Sequence, residues 1–140
     1  MDIILPKGCS FVPVERHEDT RGELAVLTDN IPGNFRTERA YYVKGLKTGS
    51  KRGAHAHRVQ SQIIFVLEGE LVVTLNDGDL TVSLEMKEGS DGLLMGPVTW
   101  CTIEAKFGNS LYLILADGPY DKSEYITDFE EYGRLRQWRA

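Results

Sequence analysis

Gly49-Ser50-Lys51-Arg52-Gly53-Ala54-His55-Ala56-His57, followed by Gln62 and Gly69, decides how this chain is read. It holds two of the chain's three histidines, and they alternate. On an extended strand side chains repeat with period two, so both imidazoles share one face. A group that titrates near neutral pH is thereby doubled on one surface. Such a surface is either part of a metal site or a metal-free acid–base site.

Short strand-like runs surround this stretch. Phe11–Arg16, Leu24–Leu27, Ala40–Lys44, Gln62–Leu67, Glu70–Leu75, Asp79–Leu84, Thr99–Glu104 and Leu111–Ala116 are separated by turn residues. Asn76-Asp77-Gly78 reads as a tight hairpin turn and Glu68-Gly69-Glu70 as a second corner. Regular short strands with glycine turns predict an all-β sandwich or barrel. Near the C-terminus, Thr127-Asp128-Phe129-Glu130 fits a capping box, and Phe129, Tyr132, Leu135 and Trp138 recur at near-helical spacing. A short terminal helix packed on the sheet is expected, its aromatic stripe serving packing rather than ligand chemistry.

The 140 residues fit one domain, 1–140, with neither linker nor repeat. A net charge of −5 argues against general nucleic-acid binding. Nothing at Met1–Lys7 resembles a signal peptide and no apolar run reaches membrane-spanning length, so no membrane association is expected. Cys9 and Cys101 lack metal-type spacing and fit free thiols in a reducing cytoplasm.

The histidine stretch resembles the first cupin motif, G-x5-H-x-H-x4-E-x6-G. Gly49, His55, His57 and Gly69 fill four of its places, and Gln62 stands where the glutamate would be. In the region of the second motif, Gly96-Pro97-Val98-Thr99-Trp100, Trp100 takes the place of a histidine. A neutral amide is a poor ligand for a divalent metal and an indole is none. Catalytic metal sites usually keep three protein ligands, so a metal is not expected here. Carbon-acid chemistry suits the pair instead: a base abstracts a proton next to a ketone, while a donor meets the oxygen that becomes an enolate.

The run Arg52–His57, Gln62, the Asn76-Asp77-Gly78 hairpin, Trp100 and the closing Tyr120-Asp121…Tyr125-Ile126 segment together resemble the sugar 3,4-ketoisomerases. These cupin-type enzymes act on thymidine-diphosphate (dTDP) 4-keto-6-deoxyglucose. The resemblance implies a cupin-type jelly roll with a short C-terminal helix, and no metal or organic cofactor. It implies a homodimer, commonly with exchanged N-terminal strands, and a dTDP-linked 4-keto-6-deoxy sugar as partner. It also implies migration of the ketone from carbon 4 to carbon 3 through an enediol, in dTDP-deoxyaminosugar biosynthesis. His55 and His57 match the histidines assigned to proton transfer, and a tyrosine upstream completes the site. Tyr41 and Tyr42 both stand near that place; Tyr42 is the one expected to face the pocket, with Tyr41 as its alternate. Arg52, Gln62 and Trp100 are candidate substrate contacts. Asp19-Thr20-Arg21-Gly22-Glu23-Leu24 resembles a D-x-R-G-x-L run shared with related epimerases, which makes Arg21 a candidate for the diphosphate. Other readings remain open at this level: a sugar-nucleotide epimerase, a cupin that binds without catalysis, and a metal-dependent enzyme.

Overall fold

The structure is a computed structural model describing residues 3–139, with side chains up to Arg136. Its strands, in chain order, are β1 Ser10–Val12, β2 Glu15–Asp19, β3 Gly22–Val26, β4 Arg39–Leu46, β5 Lys51–His57 and β6 Gln62–Glu68. They continue with β7 Glu70–Asn76, β8 Thr81–Lys87, β9 Gly92–Met95, β10 Trp100–Ala105, β11 Ser110–Ala116 and β12 Tyr125–Ile126, and the chain closes on helix α1, Phe129–Arg139. Two five-stranded antiparallel sheets, β1-β9-β6-β11-β4 and β12-β5-β10-β7-β8, face each other as a cupin-type jelly roll. The all-β fold with one short terminal helix is the expected one.

The core follows from alternation. β7 and β10 bury every second residue, so Leu71, Val73, Leu75, Cys101, Ile103 and Ala105 meet Ile64, Val66, Tyr112 and Ile114 of the opposite sheet. The turn between β7 and β8 is held by Asp77, whose Oδ1 accepts from the N–H groups of Asp79 and Leu80 at 2.8 Å. Gly78 there has φ +97°, which a side chain would rarely tolerate.

Three elements differ from the sequence expectation. Phe11–Arg16 is two strands, because Pro13 between them offers no N–H to a ladder and Val14 N instead donates to the Asp91 carboxylate at 3.1 Å. β9 pairs between β1 and β6; its Gly92 lies so close to the Phe65 ring that a Cβ would collide with it. The helix cap is Asp128 rather than Thr127: Asp128 Oδ1 accepts from Glu130 N at 3.0 Å, one residue later than the capping-box reading places it.

Helix α1 closes one flank of the β5 sheet. Tyr132 is 1% exposed and packs with Ala56, Val98 and Ile126, and its hydroxyl donates to the Asn76 carbonyl. Of the aromatic stripe, Tyr132 and Leu135 pack inward, Phe129 is exposed, and the Trp138 side chain lies outside the described residues. β2 and β3 form a separate two-stranded ribbon with nearly every side chain exposed or half-exposed.

Candidate active site

A bulge in β5 sets the site. His55 pairs with Cys101 and Gly53 with Thr102, so Ala54 has no partner in the register. Gly53 has φ +84° and Ala54 φ +56°. The extra residue resets the alternation. Without it Arg52, three residues before His55, would point away from the barrel; with it, Arg52, His55 and His57 all face inward. Gly53 is required there, because a Cβ would approach the Cys101 carbonyl oxygen to 2.8 Å.

The three residues line a cavity between the sheets, with about 580 Å³ of empty space when its open mouth is included. That falls in the range of small-molecule sites. Gln62, Met95, Tyr112 and Tyr41 line the opposite wall, above an apolar floor that includes Ile103 and Ile114.

Burial shapes the acid–base character of the group. His57 is 8% exposed, and neither of its ring nitrogens has a hydrogen-bond partner among the described residues. Its pKa is pushed down to about 4, mainly by burial and further by His55 and the Arg39 guanidinium, with the Gln62 carboxamide opposing weakly. Burial also lowers the pKa of His55, aided by the Arg52 charge. Both rings are therefore neutral near pH 7, and a neutral imidazole can accept a proton. Their centroids are 5.0 Å apart and the planes perpendicular. Tyr41 behaves oppositely: burial, with Tyr125 and Tyr112 nearby, pushes its phenol up to about 12, so it stays a donor. Its hydroxyl donates to Gln62 Oε1 at 3.4 Å.

The two tyrosines divide as alternation requires, but not as expected. Tyr41 lines the cavity, whereas Tyr42 is 61% exposed on the outer face of β4. The expectation for Tyr42 is corrected: Arg39, Tyr41 and Val43 form the inward set on that strand, and Tyr42 belongs to the outward one. Trp100 is corrected likewise. It does not line the cavity; its neighbour Cys101 does, while the indole meets Phe129 and Tyr132 at 5.0 and 5.5 Å between centroids. Arg21 is not brought to the cavity of its own chain. It sits at the tip of the β2–β3 ribbon with its side chain 87% exposed, paired to Asp19 at 2.6 Å. The cavity gathers His55, His57, Tyr41, Arg52 and Gln62.

Two neighbours are not among the expected site residues, although Tyr125 lies in the closing segment that carries part of the family resemblance. Tyr125 lies opposite His57 in the β12–β5 pairing, its ring 4.6 Å from His57 and 4.9 Å from His55. Buried Glu124 anchors this segment, accepting from the N–H groups of Val59 and Gln60 at 2.7 and 2.6 Å. A contact between residues so far apart in sequence leaves no local signal. Arg39 stands two residues before Tyr41, so period two could have revealed it; its guanidinium lies 5.3 Å from the Tyr41 ring and 5.7 Å from that of Tyr120.

The donor set does not fit a metal. Gln62 offers a neutral amide, Trp100 faces outward, and among the described residues no three His, Cys, Asp or Glu side chains converge. Fold and site together define a cupin-type jelly roll whose inner face carries neutral imidazoles and a phenol in place of metal ligands.

The chain belongs to the FdtA family (WxcM-like, C-terminal), whose model matches residues 7–137. It is 29% identical over 114 residues to TDP-4-oxo-6-deoxy-alpha-D-glucose-3,4-oxoisomerase of Aneurinibacillus thermoaerophilus, covering 81% of this chain and 82% of that one. The crystal structure of a 3,4-ketoisomerase from Helicobacter canadensis matches with TM-score 0.85 at 30% identity, covering 92% of this chain and 97% of that one. The sugar 3,4-ketoisomerase QdtA from Thermoanaerobacterium thermosaccharolyticum, solved in complex with TDP, matches with TM-score 0.89 at 25% identity, covering 96% and 98%. The chain thus falls in the sugar 3,4-ketoisomerase class of enzymes, as the sequence resemblance implied.

Proposed function

We propose that this protein, acting as one domain over residues 1–140, moves the ketone of a dTDP-linked 4-keto-6-deoxyhexose from carbon 4 to carbon 3. The observation that carries this reading is the pair of neutral histidines facing a protonated tyrosine across one cavity. The names of its relatives, and the nucleotide bound to QdtA, support the substrate.

The chemistry follows from the groups. The hydrogen on sugar carbon 3 is acidified by the adjacent carbonyl. His57 takes it, leaving an enediolate whose oxygen on carbon 4 receives a hydrogen bond from the Tyr41 phenol. The proton on the carbon-3 oxygen leaves as the carbon-4 oxygen gains one, and a proton returns to carbon 4. His55 serves as the partner in these transfers. Atoms balance: a 4-keto-3-hydroxy sugar becomes a 3-keto-4-hydroxy sugar. Arg52 and Gln62 hold oxygens of the ring. A ketone at carbon 3 is the substrate an aminotransferase requires, which suits dTDP-deoxyaminosugar synthesis. The two free thiols suit a reducing cytoplasm.

We read the working unit as a homodimer. Among the described residues the strands of the β2–β3 ribbon pair only with each other, and a two-stranded ribbon outside a larger sheet is marginal in water. Packing on a second copy supplies the missing contacts and carries Arg21 toward the partner's surface. Light scattering after gel filtration tests this; a monomer contradicts it.

The direct test of the reaction incubates the protein with dTDP-4-keto-6-deoxyglucose and follows the sugar carbons by NMR. The carbonyl signal should leave carbon 4 and appear at carbon 3. Inversion of a stereocentre without carbonyl migration would indicate an epimerase, and an unchanged spectrum a binding protein.

A further inference from the structure

No hydrogen bond aims the His57 ring. Among the described residues neither of its nitrogens has a partner, and the nearby Gln62 accepts through Oε1 from the Tyr41 hydroxyl instead. A histidine ring is usually oriented by a bond to its second nitrogen, which also fixes the tautomer. Its terminal torsion is broad and imposes no angle of its own. A base must nevertheless hold its lone pair toward the carbon it deprotonates. Packing has to supply the orientation.

The Tyr125 ring is placed to do so. β12 sets Tyr125 directly opposite His57, with His55 as its diagonal neighbour two residues back along β5. The Tyr125 ring centroid lies 4.6 Å from that of His57 and 4.9 Å from that of His55, with the planes inclined by 59° and 62°. With the 5.0 Å contact between the imidazoles, the three rings close a triangle. These are separations and tilts that aromatic pairs favour. Neither imidazole can turn about its terminal torsion without pushing on Tyr125.

A strand of two residues needs an anchor to hold such a wedge, and Glu124 is that anchor. Its buried carboxylate accepts from the N–H groups of Val59 and Gln60 at 2.7 and 2.6 Å, and its carbonyl from Arg58 N at 2.9 Å. Side chain and backbone of one residue thus tie β12 to the turn that leaves β5. Closing that turn does not require a buried charge, since Asp117 accepts from Ser61 N at 2.8 Å and Gln60 Nε2 donates to the Pro119 carbonyl at 2.8 Å. A buried carboxylate is costly unless well bonded, so its place beside Tyr125 points to precision rather than to stability alone. We propose that Glu124 and Tyr125 are positioning residues: Glu124 locks β12 to the β5–β6 turn, and the Tyr125 ring, not its hydroxyl, wedges both imidazoles in the orientation that proton transfer needs. This deepens the ketoisomerase reading and rests on it for the role of the histidines.

The test compares wild type, Y125L, Y125F and E124Q, each verified as folded by circular dichroism. Steady-state kinetics uses dTDP-4-keto-6-deoxyglucose, and long-range proton–nitrogen NMR reads the His55 and His57 ring nitrogens without substrate. Y125L should move and broaden those ring signals and lower kcat about 10- to 100-fold, as misplaced catalytic groups do, with KM within about threefold. Y125F retains the ring and should recover both the signals and most of kcat. E124Q keeps an acceptor oxygen without its charge and should shift the same signals in the same direction as Y125L, by less. A kcat loss in Y125F equal to that in Y125L would assign the work to the hydroxyl and overturn the proposal. Ring signals unmoved in both Y125L and E124Q would overturn it as well. A wild type that turns over, with Y125L its equal, overturns this role alone. A wild type that turns over no nucleotide sugar overturns it together with the ketoisomerase reading.

Discussion

Replacing His57 with Asn should flatten the acid limb of this protein's stability curve. His57 has its pKa pushed from 6.5 down to about 4, with burial the largest cause. The unfolded chain takes up a proton near pH 6.5, whereas the folded chain resists until about pH 4. The unfolded state thus binds more protons between those values, and folding stability falls as pH drops through that window. Above the unfolded value the contribution is fully present; below the folded value its loss is complete. Linkage over that window gives a loss of about 2 kcal/mol by pH 5 and about 3 kcal/mol by pH 4. Asn cannot titrate, so H57N should lack this component. Urea unfolding at pH 7.5 and pH 5 on both proteins measures it, with equal m-values securing the comparison. The wild type should lose about 2 kcal/mol more than H57N between the two pH values. Parallel losses would refute the claim that His57 is held neutral by burial, and with it the reason for treating it as a base at neutral pH.

Other outcomes follow from single contacts. Y41F should lower kcat by about 10²- to 10⁴-fold, as removal of a positioned proton donor does, while Y42F stays near wild type; steady-state kinetics on both separates the inner tyrosine from the outer. G53A forces a Cβ to within 2.8 Å of the Cys101 carbonyl at positive φ, so it should cost about 1–3 kcal/mol in a denaturant titration and weaken catalysis by displacing the bulge. Y132F removes a hydroxyl that donates to the Asn76 carbonyl beneath helix α1, and should lower stability by about 1 kcal/mol without changing kcat.

Much of this fold is legible because β-structure writes itself with period two. The alternation of Leu71, Val73 and Leu75, and the turn at Asp77-Gly78, locate a buried hairpin without further help. The same rule puts His55 and His57 on one face from their spacing alone. It fails where a local feature breaks the period. The bulge at Ala54 turns Arg52 inward, and only the long-range pairing with Cys101 and Thr102 reveals it. Tyr41 against Tyr42 is a choice between two phases of one strand, and a loop of uncertain length before β5 hides which phase is inner. Trp100 occupies a place where the cupin pattern would aim a histidine into the barrel, yet its strand phase turns it out to α1. Tyr125 reaches the histidines through a strand of two residues, too short to carry a periodic signal. Arg21 rests on a motif alone, and its ribbon leaves it outside the cavity of its own chain.

The central claim is that His57 moves a proton between neighbouring sugar carbons. Incubation with dTDP-4-keto-6-deoxyglucose in deuterated water, read by NMR, tests it most directly. The wild type should yield a 3-keto sugar carrying deuterium on carbon 4, and H57N, folded, should leave both carbons unchanged. Deuterated 3-keto product from H57N at the wild-type rate would contradict it.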